Sequence, residues 1–110
     1  MAQAAEEQPI LEIALLDVRP GERRAFETAF SEARLIISSM PGFLNLELRR
    51  SADREHRYAL LVNWRRLEDH TVGFRQSPQY AQWRKLLHRF YDPFPSVEHF
   101  ATPIIAERIE

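Results

Sequence analysis

The sequence predicts one α+β domain of the ferredoxin-like class, with the element order β-α-β-β-α-β. Apolar residues alternate or run without interruption in four short segments, which is typical of strands, and recur every three or four residues in two longer segments, which is typical of helices. This order predicts a four-stranded antiparallel sheet with both helices on one face. A chain of 110 residues is long enough for one such domain with its own core and too short for two.

The first strand and first helix are marked by a change of hydrophobic period. Ile10–Val18 is an almost continuous apolar run, which suits a strand covered on both faces, and Arg19–Gly21 breaks it. Glu22–Met40 follows a helical period, with Leu35 alone on its polar side, and Pro41-Gly42 ends the helix. The predicted buried face of this helix comprises Ala25, Phe26, Ala29, Phe30, Ala33, Ile36, Ile37 and Met40.

A hairpin follows. Phe43–Arg49 alternates, with Leu44, Leu46 and Leu48 on one face and Asn45 and Glu47 on the other. The polar segment Arg50–Arg57 predicts a long turn, and Tyr58–Trp64 predicts the next strand.

The last third of the chain predicts two helices and a strand. Arg65–Gly73 fits a short helix, and Ser77-Pro78 is a start signal for the second main helix, because serine caps free amides and proline fits the first helical position. Its apolar positions continue to Tyr91, and prolines then end it. Val97–Ile105 predicts an edge strand that Pro103 interrupts.

Composition excludes several classes of function. Fifteen basic and 16 acidic residues leave a net charge of −1, so no overall field favours nucleic acid or an anionic membrane. The absence of cysteine excludes disulfides and thiolate chemistry and fits a cytoplasmic protein. Met1–Gln8 lacks signal-peptide features, and no apolar run is long enough for a membrane helix. We expect a flexible tail over residues 1–8, one domain over residues 9–106 and a short tail over residues 107–110.

A family resemblance rests on the end of the third strand and the segment after it. Asn63-Trp64, Leu67-Glu68-Asp69-His70, Phe74, Ser77, Tyr80 and Trp83 lie in a register that resembles the antibiotic biosynthesis monooxygenase domain family. The resemblance extends from Ile10 to about Ile105 and implies a dimeric α/β barrel. A homodimer also fits the first strand, because helices on one side leave its second apolar face open.

The resemblance implies an oxidoreductase, a cofactor-independent monooxygenase of a small flat aromatic or quinol-like compound. The sequence has no glycine-rich phosphate loop, no Gly-x-Ser-x-Gly turn and no close His pair for a metal, so we expect no cofactor. The haem-degrading branch of the family fits less well. The resemblance implies that members of this branch need an Asn on the first strand and a later Trp and His. In this chain Phe74 and Arg84 stand where that Trp and that His would fall.

The predicted catalytic residues are His70, Asn63 and Trp64. His70 follows a strand end and has the side chain best suited to act as a base near neutral pH. Asn63 is a candidate donor to a substrate oxygen and Trp64 a candidate stacking wall, yet neighbouring strand residues point to opposite faces, so both cannot line one pocket. For each of the three, ordinary packing or backbone hydrogen bonding is the alternative.

The predicted substrate pocket is lined by Phe74, Tyr80, Trp83 and His99. Aromatic residues at helical spacing also suit a plain core, and His99 can face either the pocket or the dimer seam. Arg84 and His88 are interpreted as solvent-facing, with contact to an anionic group as the alternative. Two other functions remain open: a non-catalytic dimeric barrel that binds a small hydrophobic metabolite, and nucleic-acid binding through the arginine-rich turn.

Overall fold

A computed structural model describes residues 8–109 and contains one antiparallel sheet of four strands. The strands are β1 (Ile10–Asp17), β2 (Phe43–Arg50), β3 (Arg57–Trp64) and β4 (Val97–Phe100), in the spatial order β2-β3-β1-β4. This order is that of a ferredoxin-like fold and confirms the predicted fold class. The tail predicted over residues 1–8 lies outside the described residues except for Gln8.

Two helices cover one face of the sheet. Helix α1 (Arg23–Ile37) and helix α2 (Pro78–Leu87) pack together, with the Phe30 and Trp83 rings 5.7 Å apart. In β3 every second residue is buried, from Tyr58 to Trp64, so this face of the strand carries the core. No helix within residues 8–109 is long and apolar enough to cross a membrane.

Capping explains where α2 begins. Ser77 Oγ accepts a hydrogen bond from the Tyr80 amide at 3.1 Å, and Pro78 occupies the first turn, as predicted. Helix α2 ends at Leu87, and a 3-10 turn (His88–Phe90) carries the chain onward, so the predicted extension to Tyr91 was too long for one regular helix.

Three other details of the prediction were wrong. Ala25 is exposed and lies outside the buried face of α1, which comprises Phe26, Phe30, Ala33 and Ile37. Leu44 is the extra residue of a β-bulge between Phe43 and Asn45, which turns it outward, with 41% of its surface exposed. Strand β4 ends at Phe100, before Pro103, and residues 101–109 have no strand pairing.

The predicted short helix after β3 is a π-helix, Asp69–Phe74. Its wide turn is closed by the Arg75 amide, which donates to the His70 carbonyl at 3.1 Å. Gly42 packs closely against the start of this turn. Its φ of +84° suits glycine, and a Cβ there would overlap the Asp69 carboxylate. The π-helix carries two of the predicted site residues, His70 and Phe74, against the buried face of the sheet.

Candidate functional site

A cavity of about 290 Å³ lies between the helix-covered face of the sheet, the π-helix and α2. Its volume is at the lower limit of sites for small organic ligands. Apolar and aromatic side chains form most of its wall, together with a few ionisable groups. The lining residues are Glu12, Ala14, Leu16, Ile37, Leu60, His70, Phe74, Arg75, Tyr80, Trp83, His88, Tyr91, Phe94, Pro95 and Val97.

Glu12 is the buried acid of this cavity, with only 5% of its surface exposed. It lies on β1, on the face shared with Ala14 and Leu16, and the Trp64 indole Nε1 donates to its Oε1 at 2.9 Å. Burial raises the pKa of the Glu12 carboxyl, and the Trp64 hydrogen bond and the charge of Arg75 oppose that rise. Burial therefore favours the protonated form of this carboxyl more than it is favoured in an exposed glutamate.

His70 is fixed by three neighbours. Its imidazole is stacked on the Trp64 ring, with the ring centres 5.4 Å apart and an angle of 18° between the planes. Its Nδ1 lies 2.8 Å from His99 Nε2, and its Nε2 lies 3.5 Å from Glu12 Oε1. Only 3% of His70 is exposed, so the ring is held in one orientation between an acid and a second imidazole.

Both imidazoles are electrically neutral at neutral pH. Burial lowers the pKa of His70 to about 3, helped by the positive charge of Arg75 and by His99. Burial and Arg75 also lower the pKa of His99. A neutral imidazole carries one N–H and one bare nitrogen, so each ring can donate on one side and accept on the other.

Arg75 supplies the positive charge of the site. Its side chain lines the cavity, and no ion pair within residues 8–109 includes it. Its charge opposes the rise in the pKa of Glu12 and lowers the pKa values of His70, His88 and His99. An anion formed in the cavity would gain from this charge.

Four residues predicted for the site line the cavity: His70, Phe74, Tyr80 and Trp83. Phe74 is in edge contact with Tyr80 and Trp83, with ring centres 5.2 Å and 5.6 Å away, which makes one aromatic wall. His99 lies on the helix-covered face, opposite Glu12 in the β1–β4 register, and reaches the site through His70. This pair was not recognised in the sequence because 29 residues separate the two histidines.

Trp64 and Asn63 point to opposite faces of β3, as strand alternation predicted. Trp64 is fully buried behind Glu12 and His70 and is not among the lining residues. Asn63 lies on the other face, where its Nδ2 donates to Asn45 Oδ1 at 2.8 Å, so it does not reach the cavity of its own chain. The interpretation of His88 as solvent-facing was wrong, because it is half-buried and lines the cavity.

Glu12 and Arg75 are the ionisable cavity residues that the sequence interpretation did not single out. The signal was present: of the two acids inside the apolar run, Glu12 is the one that shares its strand face with Ala14, Leu16 and Val18. A carboxyl at a buried strand position needs a partner, which here is the Trp64 indole. No group of three or more His, Cys, Asp or Glu side chains within residues 8–109 is arranged to hold a metal ion.

Comparison with known proteins assigns the chain to a family. The family profile described as antibiotic biosynthesis monooxygenase matches residues 9–86. The uncharacterized protein YczJ of Bacillus subtilis (strain 168) is 50% identical over 91 residues, which cover 83% of this chain and 96% of YczJ.

Solved structures agree with the profile. A Bordetella bronchiseptica protein proposed to be an antibiotic biosynthesis monooxygenase is 34% identical, with a TM-score of 0.84 over 89% of this chain and 100% of its own. SnoaB, a cofactor-independent oxygenase from Streptomyces nogalater, is 19% identical, with a TM-score of 0.67 over 94% of this chain and 99% of its own, and shares the fold. The chain belongs to the antibiotic biosynthesis monooxygenase family.

Proposed function

We propose that this protein is a monooxygenase that uses dioxygen without metal or flavin to oxidise a small, flat aromatic or quinol-like compound. One observation carries the proposal: a cavity with an aromatic wall encloses a buried carboxyl and a neutral imidazole 3.5 Å apart. The fold shared with SnoaB, which is named as a cofactor-independent oxygenase, supports the same chemistry. The aromatic wall and the cavity volume of about 290 Å³ favour a small planar ligand.

The chemistry requires an electron-rich anion in a dry site. For an anthrone-like substrate the overall reaction is R₂CH₂ + O₂ → R₂C=O + H₂O, in which dioxygen is the four-electron oxidant. A base removes a proton from R₂CH₂, the carbanion reduces and binds dioxygen, and the resulting peroxide loses water to form the carbonyl. Water must be excluded because it would reprotonate the anion.

His70 and Glu12 are the groups that we propose for proton transfer. The two side chains line the cavity together, and Trp64 acts through them, because its indole holds the Glu12 carboxylate and its ring supports the imidazole. Arg75 stabilises the substrate anion by its charge. Asn63 is left out of this assignment because the sheet separates it from the cavity.

We also propose a homodimer formed through the open face of the sheet. Strands β1 and β3 present a central apolar strip there, and Leu15 has 47% of its surface exposed. The other members of the strip are half-buried: Leu11, Ile13, Ala59 and Leu61. Sedimentation at micromolar concentration tests this proposal, and a stable monomer would overturn it.

Oxygen uptake with anthrone, hydroquinone and naphthol as probes tests the proposed activity. The informative variant is Val97→Trp, because Val97 lines the cavity and a large side chain there fills it. Leu35→Trp on the exposed side of α1 is the matched control, since Leu35 is 59% exposed. The proposal predicts uptake that the first variant abolishes and the second retains.

Two results would contradict the proposal. Uptake that is equal in the two variants would place the reaction outside the cavity. Saturable binding of a probe without oxygen uptake, lost only in Val97→Trp, would instead support a non-catalytic binding protein.

A further inference from the structure

We propose that Glu12, His70 and His99 form a proton relay that joins the cavity to solvent, with Glu12 as the group that takes the substrate proton. The role of the relay in catalysis rests on the proposed function. Its existence does not, because the connection is a property of the unliganded protein.

The relay is a continuous line of three ionisable groups. Glu12 Oε1 lies 3.5 Å from His70 Nε2, and His70 Nδ1 lies 2.8 Å from His99 Nε2. Glu12 lines the cavity, and its Oε2 has no hydrogen-bond partner in the described part of the chain, so this oxygen is free to meet a ligand. His70 has both ring nitrogens engaged by protein groups and cannot by itself accept a proton without passing another on.

Two proton arrangements satisfy this geometry. With Glu12 ionised, His70 Nε2–H points to Glu12 and His99 Nε2–H donates to His70 Nδ1. With Glu12 protonated, its O–H points to His70 Nε2, His70 Nδ1–H donates to His99 Nε2, and His99 carries its single N–H on Nδ1. The second arrangement holds one proton more than the first, and both imidazoles are neutral in each. The second becomes the first when Glu12 passes its proton to His70 Nε2, His70 passes its Nδ1 proton to His99 Nε2, and His99 releases its Nδ1 proton to solvent. The relay therefore leaves Glu12 ionised and ready to act as a base.

Exposure gives the relay its direction. Glu12 and His70 have 5% and 3% of their surfaces exposed, whereas His99 is half-buried on the edge strand β4. Burial raises the pKa of Glu12 and lowers the pKa values of both imidazoles, so a proton is held on the acid and not as an imidazolium charge.

The other groups around the relay do not interrupt it. Arg75 is the charged group that acts on all three members, and it favours the ionised form of Glu12 and the neutral form of both imidazoles. Trp64 donates only to Glu12 Oε1. The remaining ionisable groups of the cavity are Tyr80, His88 and Tyr91.

In the proposed reaction the relay handles one proton. The C–H or O–H bond of the substrate breaks, its electron pair stays on the substrate, and the proton goes to Glu12 Oε2. Before this step the relay has passed the resting proton of Glu12 through His70 and His99 to solvent, so Oε2 can accept the substrate proton while His70 Nε2–H points to Oε1. Glu12 then gives that proton to the peroxide, whose outer oxygen leaves as water, and a proton passed inward along the same groups restores the protonated Glu12.

Nitrogen-15 NMR of the imidazoles across a pH titration tests the relay. The expected result is that His70 and His99 exchange tautomers together as Glu12 titrates, each ring remaining neutral. In Glu12→Gln, which keeps an oxygen for the Trp64 hydrogen bond, this joint change should vanish. In Asp17→Asn, which alters the other acid of β1, it should remain. Independent titration of the two rings, or the same joint change in Glu12→Gln, would overturn the proposal.

Oxygen uptake separates failure of the relay from failure of the proposed function. His99→Gln should lower kcat by about 10-fold or more, since glutamine cannot pass a proton, while KM for anthrone changes little. Uptake that is unaffected by His99→Gln would sink the catalytic role of the relay and leave the oxygenase activity standing. Joint tautomer exchange in a protein that takes up no oxygen with any probe would leave the relay standing and contradict the oxygenase activity.

Discussion

Strand β1 carries two acids whose environments are opposite. Glu12 lies on the helix-covered face, where its close partners are neutral, an indole N–H and an imidazole, and Arg75 acts on it through its charge without an ion pair. Asp17 lies on the open face and forms two hydrogen bonds with the guanidinium of Arg57, at 2.9 Å and 3.1 Å. Burial raises the pKa of Glu12, whereas the hydrogen bonds from Arg57 lower the pKa of Asp17.

The difference shows what makes a carboxyl suitable for proton transfer. Asp17 is paired with a permanent charge and stays ionised, so it can only support structure. Glu12 is buried and has no ion pair that would hold it in one charge state, so its protonation can follow what the cavity contains.

The largest expected effect is on activity. Glu12→Gln should lower the rate of oxygen uptake with anthrone by about 100- to 10,000-fold, because the substrate loses its proton acceptor. Asp17→Asn should leave the rate within about 2-fold, since Asp17 does not line the cavity. Equal losses in the two variants would mean that Glu12 matters only for folding, and circular dichroism of both is the check.

The next effect is on stability. Trp64→Phe should lower the free energy of unfolding by about 1–3 kcal/mol beyond the cost of lost volume, because the buried Glu12 loses its hydrogen-bond donor. Trp83→Phe is the control, as Trp83 is similarly buried and no hydrogen bond of its indole is found within residues 8–109. Urea denaturation of both variants measures the difference, and equal costs would refute the role of the indole.

The third effect is the pH dependence of stability. The pKa of His70 is about 3 in the fold against 6.5 ordinarily, so between these values the unfolded chain binds the extra proton and stability falls as pH falls. His70→Gln should therefore reduce the loss of folding stability on acidification, by up to about 1.4 kcal/mol per pH unit.

The two acids of β1 contribute with opposite signs. The contribution of Glu12 is lost as pH rises through its raised pKa, and that of Asp17 is lost as pH falls through its lowered pKa. Urea midpoints over a pH series separate the three residues. An unchanged acid slope in His70→Gln would contradict a depressed His70 pKa.

The smallest effect belongs to the open face. Arg57→Gln should lower the free energy of unfolding only slightly, because the pair with Asp17 is partly exposed, at 28% and 26%, and solvent screens it. Thermal unfolding with and without added salt measures this cost, and a loss equal to that of Trp64→Phe would contradict the comparison.

Much of the fold could be predicted from the sequence because helix caps and strand alternation are determined by residues that are neighbours in the chain. The Ser77-Pro78 cap and the alternation of β3 each depend on neighbouring residues. Helix α1 ends at Ile37, before the predicted end at Met40 and the Pro41-Gly42 stop. The bulge at Leu44 and the early end of β4 were not predictable in the same way, since both depend on pairing with another strand.

The candidate site was only half predictable for a related reason. His70, Phe74, Tyr80 and Trp83 are close in sequence and were found together. The contacts of His70 with Glu12 and His99 join residues from three separate elements, and they depend on the register of β1 with β4 and on the packing of the π-helix against the sheet. Alternation correctly separated Asn63 from Trp64 but could not say which of the two faced the helices.

The most direct test of the account is ionisation of a bound substrate in the absence of oxygen. Anthrone added anaerobically near neutral pH should give the absorption band of its anion when it binds to the wild-type protein and not when it binds to Glu12→Gln, because Glu12 takes the proton inside the cavity. Anthrone that stays neutral on the wild-type protein, or ionises equally on both, would contradict the claim that this cavity is built for proton removal.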